Sequence, residues 1–242
     1  MGRQDNSGMT RLILVRHGET DWNRQLRFQG QVDIPLNATG HEQAQRVGRR
    51  LALGQVDRVI SSDLSRARQT AEPLAELLAR RGAPDPLEMA LLREQSFGEV
   101  DGLSVDEIKQ RHPAAWNQWI NFQADYAFKG GESTRGFQSR VLQGLRELVE
   151  SHAGQTLVVV THGGVLDMVW RASHALPLDG PRQSHIPNGG VNQVQVVVDA
   201  DVHRLDIVGW ADIAHLDGMP PQPVYDQARL AEIRRPVLID GR

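Results

Sequence analysis

Two histidines in this chain stand in the same local setting. Leu12 to Val15 is a short apolar run that stops at Arg16-His17-Gly18, and Thr156 to Thr161 is another that stops at His162-Gly163-Gly164. Arg66 follows a further predicted strand, Val56 to Ile60, across Ser61-Ser62-Asp63. Apolar runs of this length suit interior strands of a parallel sheet, and open sheets of that kind bind ligands at the carboxyl ends of their strands. Two imidazoles, two guanidiniums and helix N-termini gathered at such an edge would form a pocket for a dianion. Guanidinium binds phosphoryl oxygens in pairs, and helix N–H groups add to the attraction. Arginine alone would bind phosphate and stop there. A neutral imidazole nitrogen can attack phosphorus if its other nitrogen is fixed as a donor, for which a nearby glycine carbonyl is a natural partner. An alkoxide is a poor leaving group, and Glu94 is placed to supply its proton as a carboxylic acid.

Metal binding competes with this chemistry, because two histidines and a glutamate can hold zinc. The glycine-flanked histidines lack a ligand spacing such as His-x-x-x-His, and two adjacent arginines would repel a dication. A single histidine at a strand end would be read more simply as an edge group meeting water. The recurrence of matching pieces favours a site.

The elements that would position these residues alternate along the chain. After the first strand, residues 18 to 39 are polar and turn-rich and predict a long loop over the strand's end. Thr39 with Glu42 predicts a capping box for a helix that buries Ala44, Val47, Leu51 and the stem of Gln43 and ends near Gly54. Val56 to Ile60 predicts a strand, and Ser61-Ser62-Asp63 an N-cap for a helix from Leu64 to about Arg81. Residues 86 to 92 predict a short strand leading into the Glu94 segment, with turns at Gly98 and Gly102. Residues 103 to 131 carry Trp116, Trp119, Phe122, Tyr126 and Phe128 in a chain with 5 Trp, 5 Phe and 2 Tyr. They predict a helical insertion or lid, or equally a helix pair with its own small core. Phe137, Val141, Leu145 and Leu148 follow helical spacing. Val165 to His174 predicts a helix, and Val191 to Val198 and His203 to Trp210 a final, antiparallel pair of strands. The expectation is an α/β fold, a three-layer α/β/α sandwich with a mostly parallel central sheet. It takes 1–242 as one domain, with a lid insertion at about 100–131 and an extended tail at about 218–242, in which Tyr225 to Leu238 packs back or meets a partner.

Bulk properties narrow the alternatives. The formal net charge is -3 over 242 residues and basic residues form no blocks, so neither nucleic acid nor a membrane surface is an expected partner. Of 27 basic residues only Lys109 and Lys129 are lysine. The absence of cysteine excludes disulfides, thiol catalysis and cysteine-based metal sites. Met1 to Met9 is polar, without the apolar run of a signal peptide, and no segment has the length of a membrane span. A soluble, cytoplasmic protein is the expectation.

The quoted motifs resemble the histidine phosphatase superfamily, the phosphoglycerate-mutase-like group. The resemblance rests on Leu14-Val-Arg16-His17-Gly18-Glu19-Thr20-x-x-Asn23, Phe28-Gln29-Gly30 and Pro35-Leu36-Asn37-x-Thr39-Gly40. It continues through Ser61-Ser62-Asp63-Leu64-x-Arg66-Ala67-x-Gln69-Thr70-Ala71, Leu92-x-Glu94-x-x-Phe97-Gly98, Gly131-Glu132-Ser133 and Val160-Thr161-His162-Gly163-Gly164. It implies a phosphohistidine on His17, with Arg16, Arg66 and His162 clamping the phosphoryl oxygens and Glu94 serving as acid, then as activator of water. Asn23, Gln29, Gly30 and the Gly163 amide would line the phosphate pocket. It implies no metal and no organic cofactor. The implied partner is a small phosphorylated substrate, with a homodimer as a further possibility.

Phosphoglycerate mutases of the group carry a longer, more basic insert and an Asn after the second histidine motif's glycine. Here Gly164 stands in that place, and residues 112 to 131 offer only Lys129 as a cation. The reading is a phosphatase of small phosphomonoesters, with a mutase or a non-catalytic phosphate-binding module as alternatives. Glu19 and Asp21 are expected to order their loop, Thr161 to pack or to orient a catalytic group, and Asn188 in Pro187-Asn188-Gly189-Gly190 to form a turn near the pocket edge.

Overall fold

A computed structural model describes residues 9–199, 202–223 and Gln227. Its sheet is built on three apolar strands: β1 (Met9–Arg16), β2 (Arg58–Ser61) and β4 (Thr156–Thr161). A two-residue strand β3 (Leu87–Glu88) flanks β2, and β5 (Val191–Asp199) and β6 (Val202–Asp212) complete the order β3-β2-β4-β1-β5-β6. The first four strands in that order run parallel; β5 is antiparallel to β1, and β6 to β5. Side chains alternate across β4. Val158 and Val160 pack with Val47, Leu51, Ala71 and Leu74 on one face, and Leu157 and Val159 with Phe137, Val141, Leu145 and Leu166 on the other. Period-2 alternation into two apolar layers is why these strands carry almost no polar residues, and each such buried side chain contributes roughly 1.5–3 kcal/mol.

The first layer consists of α2 (Ala38–Leu51) and α3 (Ser65–Ala79), the second of α6 (Thr134–Ser151) and α7 (Gly163–Ser173). This is the expected α/β/α sandwich with a mostly parallel sheet. The caps differ from expectation. Helix α2 is capped by Asn37, whose Oδ1 accepts from Gly40 N at 2.9 Å, so Thr39 lies inside the helix. Asp63 does not cap α3; it forms a two-pronged ion pair with Arg93. Asp33 takes over, accepting from Ser65 N at 2.7 Å and Ser65 Oγ at 2.8 Å. A carboxylate competed for by a nearby guanidinium and an orphan helix N–H goes to the charged donor, and the loop 18–39 supplies a substitute. That loop also contains a four-residue helix, α1 (Asp21–Arg24), capped by Thr20.

The aromatic stretch forms two short helices, α4 (Val105–Arg111) and α5 (Pro113–Trp119), separated where Pro113 follows His112. Phe28, Val100, Ile108, Trp116, Ile120 and Phe128 make a third, separate core there. Tyr225 to Leu238, apart from Gln227, lies outside the described residues. Among the described residues no helix is long and apolar enough to cross a membrane.

The N-terminus of α2 braces the strand that carries His17. A Cβ added to Gly40 would stand 2.1 Å from the Glu19 carbonyl oxygen, and one added to Gly18 would stand 2.6 Å from the Gly40 oxygen. Alanine favours a helix over glycine by about 1 kcal/mol, whereas overpacking costs about 1–3 kcal/mol. Gly40→Ala is expected to lower both stability and turnover; a variant as stable and as active as the parent in denaturant titration and assay would contradict this packing.

Candidate active site

Parallel pairing brings the two histidines together. Arg16 is in register with Thr161, and the ladder runs one step further, with His17 N donating to Thr161 O at 2.9 Å. Neighbouring parallel strands lie about 4.8 Å apart, and the His17 and His162 ring centroids are 5.2 Å apart. Both rings are buried, with His17 3% and His162 0% exposed.

Each ring is fixed in one tautomer by a partner that can play only one part. His17 Nδ1 lies 2.7 Å from Gly18 O; a carbonyl only accepts, so Nδ1 carries the proton and Nε2 keeps its lone pair. Arg66 Nε donates to His162 Nδ1 at 3.3 Å; a guanidinium only donates, so His162 Nε2 carries the proton, and that atom is buried with no partner. The backbone around His17 is held as firmly. Gly18 N donates to Thr70 Oγ1 at 2.9 Å, the Thr70 hydroxyl donates to Arg66 O at 2.7 Å, and Asn188 Nδ2 donates to His17 O at 2.9 Å.

The arginines face the same space. Arg66 is 0% exposed and ties down the loop 18–39, donating from NH1 to Val32 O and from NH2 to Gly30 O, both at 2.8 Å. Arg16 donates from NH1 to Ile186 O at 2.6 Å, while its Nε is buried and unpartnered. Burial lowers both guanidiniums to about 10, which leaves them charged near neutral pH. Glu94 Oε2 accepts from Gly164 N at 3.0 Å and Oε1 from Gln95 N at 2.9 Å. A Cβ on Gly164 would stand 2.1 Å from Glu94 Oε1, so the bare glycine is what admits the carboxylate. The Thr161 hydroxyl donates to Leu92 O at 2.9 Å, two residues before Glu94. Glu19 orders its loop as expected, accepting from Arg24 and Asn37.

A cavity of about 580 Å³ is lined by Arg16, His17, Asn23, Gln29, Gly30, Arg66, Glu94 and Gly163. His162 is not among the lining residues; its ring stands beside that of His17, tilted by 56°. Gln29 Oε1 is buried and unpartnered, and Asn23 Oδ1 is engaged by Thr20 N at 3.0 Å, which leaves its NH2 as the disengaged half of the amide. Among the described residues no three His, Asp or Glu side chains are grouped to hold a metal ion.

Three further residues stand at or beside this space; only the turn that holds Asn188 was singled out in the sequence, and Asp101 and Arg182 carried no usable signal there. Asn188 sits in a Pro-Asn-Gly-Gly turn whose side chain reaches back across 171 residues to His17. Asp101 fills the space beside Gly30 (φ +49), where a Cβ would stand 1.8 Å from its Oδ1; burial, aided by Glu94, raises its carboxyl to about 6. Arg182, between α7 and β5, lines the cavity beside Arg16.

Burial first, and the neighbouring Arg66 and Arg16 charges next, hold His17 well below the ordinary imidazole range; His162 is held there by burial, Arg66 and His17. Both rings therefore stay neutral in the folded protein, whereas in the unfolded chain they titrate near pH 6.5. Below that pH the unfolded state takes up protons the folded state refuses, so stability falls by up to about 1.4 kcal/mol per pH unit for each ring. Denaturant titrations at pH 7.5 and 5.5 should show a larger acid loss for the parent than for a His17→Asn/His162→Asn double variant. Equal losses would contradict the neutral assignment.

The family model of the histidine phosphatase superfamily (branch 1) matches residues 12–212. The chain is 34% identical over 208 residues to phosphoglycerate mutase-like protein 4 of Arabidopsis thaliana, covering 85% of this chain and 86% of that protein. It is 34% identical over 217 residues to a metal-independent phosphoserine phosphatase of the same plant, covering 88% and 86%. Among solved structures it is similar to a mycobacterial glucosyl-3-phosphoglycerate phosphatase in complex with VO3, with a TM-score of 0.72 and 30% identity over 84% of this chain and 99% of that one. The family match runs through every strand and turn that carries the paired histidines, the arginines and Glu94, and on it this chain belongs to the histidine phosphatase superfamily, as an enzyme of the phosphatase kind.

Proposed function

We propose that this protein hydrolyses small-molecule phosphomonoesters, without a metal ion, through a phosphohistidine on His17. The observation that carries the reading is the 2.7 Å contact between His17 Nδ1 and Gly18 O, in a ring that burial and two arginines keep neutral. The Nε2 lone pair then needs no base. It attacks phosphorus, the bond from phosphorus to the ester oxygen breaks, and Glu94 gives its proton to the departing alkoxide. Charge on the phosphoryl oxygens meets Arg16, Arg66 and the first amide of α7, and the unpartnered N–H of His162, beside His17 rather than on the cavity wall, is assigned to the same clamp by the family resemblance. Preformed donors of this kind in a dry pocket need no reorganisation as charge develops.

In the second step the Glu94 carboxylate takes a proton from water, the water oxygen attacks phosphorus, and the phosphorus–nitrogen bond breaks. Inorganic phosphate leaves, and His17 is again neutral. Water rather than a second alcohol is the acceptor because residues 112 to 131 supply Lys129 as their one cation, too little to retain an acidic intermediate for a return transfer. Names of relatives include both a mutase-like protein and a phosphatase, so phosphate release in EDTA and conversion of 3-phosphoglycerate to 2-phosphoglycerate should be assayed side by side. Release that survives EDTA is expected; isomerisation without release would replace this reading with a mutase.

Glu94→Gln keeps shape and loses the proton. Formation of the phosphohistidine from alkyl phosphates, read in the pre-steady-state burst, should slow by roughly 10² to 10⁴, the usual worth of a general acid, and that from p-nitrophenyl phosphate by much less, because nitrophenolate leaves unaided. Equal slowing on both would remove Glu94 from that role.

A further inference from the structure

The mechanism leaves one half-buried carboxylate beside the site without a part. Asp101 is not among the residues that line the large cavity, yet it stands at the seam between two stretches that do. On one side is the turn Gln29-Gly30-Gln31, whose Gly30 lines the cavity and accepts from Arg66 NH2. On the other is the segment from Glu94 to Phe97, which presents the acid.

One carboxyl group gathers N–H donors from both stretches. Phe97 N donates to Asp101 Oδ1 at 3.0 Å, and the Gln31 backbone N–H donates to the same carboxyl. The group lies flat against the turn, since a Cβ on Gly30 would stand 1.8 Å from Oδ1 and 2.6 Å from Oδ2. Further ties close the seam around it. Gln31 Nε2 donates to Glu94 O at 3.1 Å, Arg140 NH2 donates to the same oxygen at 3.2 Å, and Gly102 N, next in the chain, donates to Phe28 O at 2.7 Å. The charges that face Asp101 are those of Glu94 and Arg66. Arg27, which donates to the neighbouring Gly102 O, is matched by Glu107. Burial pushes the carboxyl up and the two N–H donors draw it down, while Glu94 raises it and Arg66 lowers it, with the outcome at about 6. An ionised carboxylate is acceptor only, with two oxygens for the two backbone donors. A protonated acid or an amide would turn a donor of its own toward them.

We propose that ionised Asp101 is a positioning residue for the reaction: by drawing the Gln31 and Phe97 N–H groups onto one carboxylate, it holds Glu94 at its working distance from the phosphoryl pocket. The inference rests on the reading of Glu94 as the acid. Asp101 itself touches no reacting atom and acts through the backbone on either side of the seam.

The test measures kcat/KM, which covers the steps up to phosphohistidine formation, for the parent, Asp101→Asn, Glu94→Gln and the double variant between pH 5 and 8. Glycerol 1-phosphate, which needs the acid, is run beside p-nitrophenyl phosphate, which does not. At pH 8 Asp101→Asn should lose up to about 10²-fold on glycerol 1-phosphate, the cost of a catalytic group misplaced by about 1 Å, and less on p-nitrophenyl phosphate. The ratio of parent to variant should shrink toward one as pH falls through about 6, because the parent's carboxyl then takes up the proton whose effect the amide imitates. Ionisation of the substrate acts on both enzymes alike and cancels. Asp101→Ser, also uncharged, repeats the comparison if the amide variant does not fold. A ratio constant with pH, as for a residue that merely fills the seam, would overturn the assignment, and so would equal losses on the two esters. With Glu94 already replaced by Gln, removing the Asp101 charge should cost little more on glycerol 1-phosphate; losses that multiply would overturn this inference alone. Equal slowing of both esters by Glu94→Gln would mark failure of the acid reading itself, and of this inference with it.

Discussion

The parallel ladder between β1 and β4 is the constraint on which the site depends. Its register, carried one bond past the strand ends by His17 N and Thr161 O, sets the distance between the two imidazoles. A one-residue slip would turn every side chain of β1 to the other layer and carry His17 away from His162. The apolar sequence of both strands makes such a slip costly, since Leu14 and Val15 pack into different cores. Burial energy spread over the sheet thus becomes positional precision at its edge.

Arg66 links that precision to charge. It is at once a structural tie, to Gly30 O and Val32 O, and the donor that fixes the tautomer of His162. A buried guanidinium costs several kcal/mol in desolvation, met here by three hydrogen bonds and, on the proposed reaction, by the phosphoryl dianion. Arg16 and Arg182 add to the same positive field. That field repels protons from the imidazoles and attracts a phosphate ester, two requirements of one nucleophilic step. The buried donors left without a partner beside His17, Arg16 Nε and His162 Nε2, are those an oxyanion would satisfy.

Much of this was legible in the chain. Continuous apolar runs located β1 and β4 because strands buried on both faces leave no room for alternation, the shorter Val59-Ile60 pair marked β2, and each polar burst after them marked a site residue. The helical spacing of Phe137, Val141, Leu145 and Leu148 translated directly into the second layer. What failed to show were choices settled by distant partners. Asp63 looked like a cap until Arg93, folded next to it, outbid the helix for the carboxylate. Thr39 looked like a cap because a capping box is local in form, yet Asn37 is the residue that the packing against Glu19 brings to the helix end. Asn188 and Arg182 belong to loops whose role is fixed by where the chain returns to the sheet edge, and no local pattern encodes a return.

The central claim is that His17 Nε2 itself takes the phosphoryl group. Rapid acid-free quenching of the protein with a ³²P-labelled substrate in EDTA, followed by mapping of the label, tests it most directly. The account predicts a label stable in alkali and lost in acid, on the peptide carrying His17, formed at least as fast as turnover and absent from His17→Ala, which should also be inactive. Turnover without any such label, or a label that maps to His162, would contradict it.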